Sequence, residues 1–220
     1  MQQGLAVGAV AAWLALISLA ALLVRRRWPH QREWSRKLVH IGAGLVVPLA
    51  WLLAIHRSVA LSAAVAATLL ALVNHRLRWL PAIEDVGRAS IGTIAYGASI
   101  TLLLALWWPG QPAPVCAGVL AMAVGDGLAG VVGPLRPSPS WQVMGQRRSL
   151  LGTSAMAFGT GFSLVLLAVV SHQVSLPVPS PLALAAITSL AVALEQVAWG
   201  GFDNLTVPLA VAWLWQALAH

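Results

Sequence analysis

Long apolar stretches alternate with short polar gaps along almost the whole chain. A stretch of about 20 apolar residues can cross the hydrocarbon core of a bilayer as a helix. Helices are expected because an open strand in lipid leaves backbone hydrogen-bonding groups unsatisfied. The pattern predicts an all-α, polytopic transmembrane bundle of about eight spans, within a range of roughly seven to nine. The apolar stretches are residues 4–24, 38–55, 58–74, 89–108, 113–133, 150–170, 181–198 and 204–219.

Composition supports a membrane class. Hydrophobic residues make up 59% of the 220 positions and charged residues 9%, which excludes an ordinary soluble domain and a disordered chain. We treat residues 1–220 as a single membrane-embedded domain. The chain has one cysteine, Cys116, inside an apolar stretch. It therefore has neither a disulfide framework nor a cysteine metal site, and we expect Cys116 to be a small buried side chain.

Positive charges gather in alternate gaps between the predicted spans. Threading the spans in and out of the membrane puts twelve of the thirteen lysines and arginines on one side and only Arg57 on the other. Because basic loops stay in the cytoplasm, that side is predicted to be cytoplasmic and the N-terminus to lie outside. The twelve are Arg25, Arg26, Arg27, Arg32, Arg36, Lys37, Arg76, Arg78, Arg88, Arg136, Arg147 and Arg148.

The basic excess also bears on partners. The net charge is +7, but it comes from arginines that flank apolar stretches, so a lipid bilayer is the expected partner and nucleic acid is not. Residues 1–24 carry no charge, and the basic cluster follows them. A cleaved signal peptide has the reverse order, so this segment is predicted to be a span. The sequence carries no indication of an oligomeric state.

Asp126 is the acidic residue that is hardest to explain by structure alone. It stands between Gly125 and Gly127 about two turns from the inner end of its predicted span, and Gly130 follows on a related face. A carboxylate within a span is costly and usually has a partner or a function. We interpret Asp126 as a Mg²⁺ ligand and the glycines as a smooth face for phosphate. The alternative is close helix packing by small residues.

Basic residues open two of the predicted spans. Arg147, Arg148, Ser149 and Gly152 precede or begin the span at 150–170, and a helix start with arginines can hold phosphate. The alternative is a simple positive-inside anchor. At the second span, spacings of three and four residues place Arg36, Lys37 and His40 on neighbouring faces of one helix end. Charge anchoring explains Arg36 and Lys37, but not His40.

Further acids lie at the same side of the predicted bundle. Glu195 and Asp203 with Asn204 flank a Gly200-Gly201 break, so an oxygen-rich pocket is the favoured interpretation and an ordinary capped loop the alternative. Glu84 and Asp85 precede Arg88 within one helical turn. A dipole-complementing acidic pair is the favoured interpretation there, and a metal or nucleotide contact the alternative.

Four of these segments, in this order, resemble motifs of the polyprenol kinase family, which includes phytol kinases and dolichol kinases. The likeness covers about residues 35–212, which form a kinase-like core. Residues 1–34, an additional span and a basic loop, lie outside it. The short length of the chain and the final motif look closer to phytol kinases than to dolichol kinases. One departure is Arg148, where the family usually has lysine. The segments are Arg36-Lys37-x-x-His40, Gly125-Asp126-Gly127, Arg148-Ser149-x-x-Gly152-Thr153, and Glu195 followed by Asp203-Asn204-Leu205-Thr206-Val207-Pro208-Leu209.

The resemblance implies phosphoryl transfer from a nucleoside triphosphate, typically CTP, to a long-chain isoprenoid alcohol, with Mg²⁺ as cofactor. It suggests metal ligation by Asp126, Glu195 and Asp203. It also suggests charge neutralisation by the basic residues and orientation of the hydroxyl by His40 or a carboxylate. The catalytic residues expected are Asp126, Lys37, His40 and Asp203. The nucleotide-binding residues expected are Gly125, Gly127, Gly130, Arg147, Arg148, Ser149, Gly152 and Asn204.

Two other functions fit parts of the pattern. A cytidylyltransferase would move a CMP unit onto a lipid phosphate with similar acidic and glycine motifs, and it would release pyrophosphate. A transporter would use the acids as proton or ion sites. The outer loops, however, carry almost no charge, which disfavours a transport path that reaches both faces.

Overall fold

The computed structural model describes residues 2–77 and 91–220, and in those ranges a helix is found at each stretch where the sequence predicts a span. The all-α prediction is confirmed for the apolar stretches. Residues Arg78, Glu84, Asp85 and Arg88 lie outside the described residues. The helices are α1 Gln2–Arg27, α2 Arg32–Gly44, α3 Val46–Leu52, α4 Arg57–Leu77, α5 Gly92–Trp107, α6 Pro112–Leu120, α7 Gly127–Val132, α8 Leu150–Gln173, α9 Pro181–Val197 and α10 Asp203–Leu218.

Four helical segments in the described ranges are long and apolar enough to cross a membrane. Helices α5 and α9 are apolar but shorter, so the number of spans remains a prediction. The four long segments are Gln2–Arg27, Arg57–Leu77, Pro112–Val132 and Leu150–Gln173.

The predicted span at 38–55 is two helices rather than one. Helix α2 ends at Gly44 and α3 begins at Val46, with Leu45 between them. Pro48 explains the break, because a proline has no N–H for the carbonyl four residues earlier and its ring crowds that carbonyl. The sequence analysis did not predict this break.

The stretch at 113–133 is also irregular. Helix α6 continues into a π-helical turn, Ala121–Asp126, and then into α7. A π-helical turn inserts one residue per turn and commonly marks a functional position in a helix. This combined segment is the most buried of the four long helical segments, whereas α1 and α4 lie on the outside of the bundle with few residues buried. It is therefore the centre of the bundle, and Cys116 on it is fully buried as predicted.

The loop before α8 contains a small β-hairpin, which is a correction to the all-α prediction. Strand β1, Ser140–Val143, pairs antiparallel with strand β2, Gln146–Ser149. The two residues between the strands, Met144 and Gly145, have φ values of 50° and 74°. Positive φ at both central residues is the geometry of a two-residue type I′ turn, which glycine adopts readily. Strand β2 carries the basic pair Arg147-Arg148 up to the start of α8.

Candidate active site

Asp126 lies at the end of the π-helical turn, where the wider turn leaves backbone carbonyls open to side chains. The Thr160 hydroxyl on α8 donates to the Ala121 carbonyl at 3.2 Å. The Nε2 atom of His40 on α2 lies 3.3 Å from the Met122 carbonyl oxygen. These two contacts fix the turn between neighbouring helices. They hold the Asp126 carboxylate between α2, the C-terminal end of α9 and the N-terminal end of α10.

Two residues of α2 face the Asp126 carboxylate. The Lys37 ammonium donates to Oδ2 of Asp126, and His40 Nε2 lies 3.5 Å from the same oxygen. The Lys37 side chain is only 5% exposed, so its charge is removed from water and needs this counter-ion. The sequence predicted Lys37, His40 and Asp126 separately as site residues. The structure brings all three together across 89 residues of chain.

Tyr96 on α5 holds His40 from the other side. Its ring centroid lies 4.2 Å from that of His40, and its hydroxyl donates to the His40 backbone carbonyl at 3.4 Å. The sequence analysis did not single out Tyr96. The available signal is that it is the one tyrosine of the chain and stands inside an apolar stretch.

Three carboxylates from different segments meet at this point. Asp126, Glu195 and Asp203 each offer an oxygen, and these three oxygens lie within 4.8 Å of one another. Carboxylate oxygens are the donors that Mg²⁺ prefers, at about 2.0–2.1 Å from the ion. The donor set therefore fits the cation that the sequence analysis assigned to these residues.

Glu195 is tied to the β-hairpin through Arg148. Nη1 of Arg148 donates to the Glu195 carboxylate, and Nη2 donates to the backbone carbonyls of Glu195 at 2.6 Å and Ala198 at 3.2 Å. Gln196 donates to the second carboxylate oxygen of Glu195 at 2.8 Å and to the Thr153 hydroxyl at 3.0 Å. Arg148 therefore holds the last turn of α9, in addition to facing the cavity described below.

The Gly200-Gly201 break positions Asp203. Both glycines have positive φ, 62° and 93°, which other residues rarely adopt, so the chain can turn sharply between α9 and α10. The Asn204 amide donates to the Asp203 carboxylate at 3.2 Å and to the Gly201 carbonyl at 3.4 Å. Asp203 precedes the last predicted span. Its burial, followed by the nearby negative charge of Asp126, raises the pKa of its carboxyl above the usual range.

A cavity of about 610 Å³ opens onto two of the three acids and is bordered by cations. Asp126 and Glu195 form part of its wall, together with Gly130 and with Ser149 and Gly152 at the start of α8. The Ser149 hydroxyl accepts a hydrogen bond from the Gly152 amide and caps this helix. The basic residues that line the cavity are Arg36, Lys37, Arg136, Arg147 and Arg148.

The predicted phosphate-binding glycines occupy different surroundings. A Cβ atom added to Gly125 would collide with Thr160 and Met156 on α8, and one added to Gly127 would collide with Ile41 on α2. Both glycines therefore lie at helix contacts, which is the alternative that the sequence left open. Gly130 lies in the cavity wall, where an added Cβ would meet the Lys37 side chain. Their contribution to phosphate binding remains a prediction.

Several cavity residues were absent from the sequence-predicted site. Arg36 pairs with Glu33 at 2.7 Å, and both line the cavity. Arg136 lies on the loop before β1 and is exposed there. Gln196 connects two walls, and its only sequence signal is that it follows Glu195. Arg36 stands in the first sequence motif, whereas Arg136 and Gln196 were missed because their roles depend on packing between distant segments.

Comparison with known proteins gives one informative match. The chain is 38% identical over 213 residues to a protein named phytol kinase from Synechocystis sp.. The match covers 95% of this chain and 91% of that protein. No protein-family profile matches the chain. No solved structure matches it either. Identity of this level over nearly the full length of both proteins, together with four motifs in the expected order, shows that the chain belongs to the polyprenol kinase family, which includes the phytol kinases.

Proposed function

We propose that this enzyme phosphorylates a long-chain isoprenoid alcohol such as phytol, with CTP as phosphoryl donor, at the cytoplasmic face of the membrane. The observation that carries the proposal is the cluster of Asp126, Glu195 and Asp203, two of which line a cavity rich in arginine. Phosphoryl transfer requires little covalent chemistry from the protein. It requires phosphates held in place and charge stabilised at the transferred group.

The cavity suits a nucleoside triphosphate. Its volume of about 610 Å³ is within the usual range of roughly 300–1,000 Å³ for small-molecule sites. Arg136 and Arg147 are exposed on its border, where their guanidinium groups can contact phosphate oxygens in bidentate fashion. The N-terminus of α8, a helix of 24 residues, adds the positive end of its dipole on the same side.

Asp126 and Asp203 are the residues that would hold Mg²⁺, with Glu195 as a third carboxylate. A bound Mg²⁺ would neutralise phosphate charge and orient the phosphates for in-line transfer. Lys37 and Arg148 keep the carboxylates of Asp126 and Glu195 in position through their ion pairs. Gln196 fixes the second oxygen of Glu195.

His40 and the neighbouring carboxylates are the candidates for orienting the alcohol. In the reaction the alcohol oxygen forms a bond to the γ-phosphorus of CTP, the bond from that phosphorus to the bridging oxygen breaks, and CDP leaves. The hydroxyl proton must pass to a base. His40 Nε2 faces the Met122 carbonyl at 3.3 Å and Asp126 Oδ2 at 3.5 Å, so it is a donor that can orient the alcohol oxygen, and the Asp126 carboxylate is the group that can accept the hydroxyl proton.

Product analysis tests the proposal. Membranes containing the protein are incubated with Mg²⁺, γ-labelled CTP and phytol, and membranes without it are the control. We expect labelled phytyl phosphate and CDP in equal amounts. Release of pyrophosphate with a lipid phosphate as acceptor would instead establish a cytidylyltransferase. Equal labelling from ATP in competition with CTP would contradict the donor assignment.

A further inference from the structure

A second cavity lies between α1, α3, α4 and α5, away from the acids and arginines. Its volume is about 240 Å³, and every residue that lines it is alanine, valine, leucine, isoleucine or glycine. We infer that this groove binds the part of the isoprenoid tail next to the hydroxyl, and that α1 is one of its walls. The inference rests on the proposed function. The volume is below the roughly 300–1,000 Å³ of complete ligand sites, so the rest of the tail would extend into the bilayer.

One end of the groove lies close to the reactive groups. Ala43 lines the groove and follows His40 by three residues on α2, which places it about one helical turn, roughly 5 Å, further along the same side. Gly97 also lines the groove and directly follows Tyr96, whose ring packs on His40. An alcohol with its hydroxyl at His40 would therefore enter the groove with its first carbons.

The groove continues from there along α4 and α5, away from the carboxylates. On α5 its wall runs from Gly97 to Leu104, a rise of roughly 10 Å. On α4 the wall consists of Val59 and four alanines, Ala60, Ala63, Ala64 and Ala67, and the spacing of the alanines places them on one face of the helix. Alanine and glycine have the smallest side chains, and they leave the space between the helices that forms the groove.

Helix α1 is attached at both ends of the groove, so it is a fixed wall. The Gln3 side chain donates to the Ala54 carbonyl at 2.9 Å and accepts from the His56 amide at 3.1 Å. The Trp13 indole donates to the Gly42 carbonyl at 2.8 Å. Val7 lies between Gln3 and Trp13 and Leu14 follows Trp13, and both residues line the groove. The sequence analysis placed this helix outside the kinase-like core.

The occupant of the groove is identified by what fits at its polar end. The side chains of His40 and Asp126 are 12% and 14% exposed. A hydroxyl is small enough to contact such buried groups, whereas a phospholipid headgroup is too large and too strongly hydrated to do so. An isoprenoid alcohol therefore fits both the apolar groove and its polar end, whereas a bilayer phospholipid fits only the apolar groove.

The first test fills the groove and compares adjacent positions on α4. Ala67→Phe places a ring in the groove, and Ala66→Phe places the same ring at the adjacent position, which is equally exposed but does not line the groove. We expect Ala67→Phe to raise KM for a twenty-carbon isoprenoid alcohol by at least about tenfold, equivalent to about 1.4 kcal/mol, with KM for CTP unchanged. Ala66→Phe should leave both constants unchanged. If Ala67→Phe does not accumulate, Ala67→Leu replaces it.

A second variant tests the direction of the tail. Ala60 lines the groove about two turns from Ala67, on the side away from His40. Ala60→Phe should impair a twenty-carbon alcohol and spare a ten-carbon one, because only the longer tail passes the added ring. Equal loss for both lengths would contradict the proposed direction, and equal kinetics for all three variants would overturn the groove assignment.

Photocrosslinking separates the groove from the reaction. A twenty-carbon isoprenoid alcohol with a diazirine near its hydroxyl should label peptides of α1 and α4 in membranes, and excess unlabelled alcohol should suppress this labelling. Labelling there without phosphoryl transfer would support the groove and contradict the proposed function. Phosphoryl transfer with labelling only elsewhere would support the function and overturn the groove.

Discussion

Replacement of Arg148 by alanine distinguishes a structural role of this residue from a purely nucleotide-binding one. The sequence motif assigns Arg148 to phosphate. In the structure its guanidinium group donates to the Glu195 carboxylate and to the backbone carbonyls of Glu195 and Ala198, three acceptors at the end of α9. We therefore expect Arg148→Ala to destabilise the protein before any nucleotide is added.

The magnitude follows from the burial of the pair. The Arg148 side chain is 17% exposed and that of Glu195 is 5% exposed, so the substitution leaves a nearly buried carboxylate without its counter-ion. Removal of one partner from a buried pair costs about 3–5 kcal/mol. Because Arg148 keeps some contact with water, we expect the lower end, about 3 kcal/mol. In a protein of this size that loss lowers Tm by about 6–12 °C.

Thermal unfolding in detergent micelles measures the effect, with Arg147→Ala as the matched control. Arg147 is adjacent on β2, exposed, and hydrogen-bonded to the Ser140 hydroxyl at 3.2 Å. Its removal should change the free energy of unfolding by less than about 0.5 kcal/mol. The double variant Arg148→Ala with Glu195→Gln should recover part of the loss, because the stranded charge is gone. Equal Tm for the two arginine variants, with a raised KM for CTP only in Arg148→Ala, would refute the structural role.

Three further predictions concern the site, the packing and the orientation. Asp126→Asn should lower turnover by at least about two orders of magnitude, because a metal ligand is lost. It should also lower the free energy of unfolding by about 3 kcal/mol, because Lys37 loses its counter-ion. Adding Lys37→Met should restore Tm but not activity, and an active Asp126→Asn enzyme would contradict the metal assignment. Gly125→Ala should cost about 1–3 kcal/mol through collision with Thr160 and Met156, whereas Gly8→Ala, which meets nothing within 4 Å, should be neutral or slightly stabilising in the same melt. In a Cys116→Ala background, a membrane-impermeant thiol reagent applied from outside should modify Gln111→Cys and not Ser140→Cys; the reverse pattern would invert the predicted topology.

Helix positions followed closely from the apolar pattern, because lipid restricts a spanning segment to helical structure. The stretch predicted at 58–74 is helix Arg57–Leu77, and the stretch at 150–170 begins helix Leu150–Gln173. The local irregularities within the helices were not predicted from the apolar pattern. The break at Leu45 has a signal in Pro48, whereas the π-helical turn that ends at Asp126 depends on contacts from Thr160 and His40 on other helices.

In the candidate site, the sequence predicted which residues are functional but not which residues they pair with. Cost arguments selected the residues Asp126 and Glu195, because carboxylates within spans are expensive. They did not identify Lys37 and Arg148 as the partners, which lie 89 and 47 residues away in the chain. Pairing across such distances is decided by how helices pack, and a single sequence carries little information about packing.

The charges of the paired residues give a physical reason for a cation at this site. Among the described residues, Lys37 pairs with Asp126 and Arg148 pairs with Glu195, and the Asp203 carboxylate is contacted by the neutral Asn204 amide. The cluster thus holds three carboxylates against two direct cationic partners, and its oxygens lie within 4.8 Å of one another. Carboxylates so close repel one another and are difficult to keep ionised together away from water. A divalent cation between Asp126 and Asp203 would remove that repulsion. The arginines on the cavity border would then be left to neutralise the phosphates, which is the division of roles that the proposed kinase reaction requires.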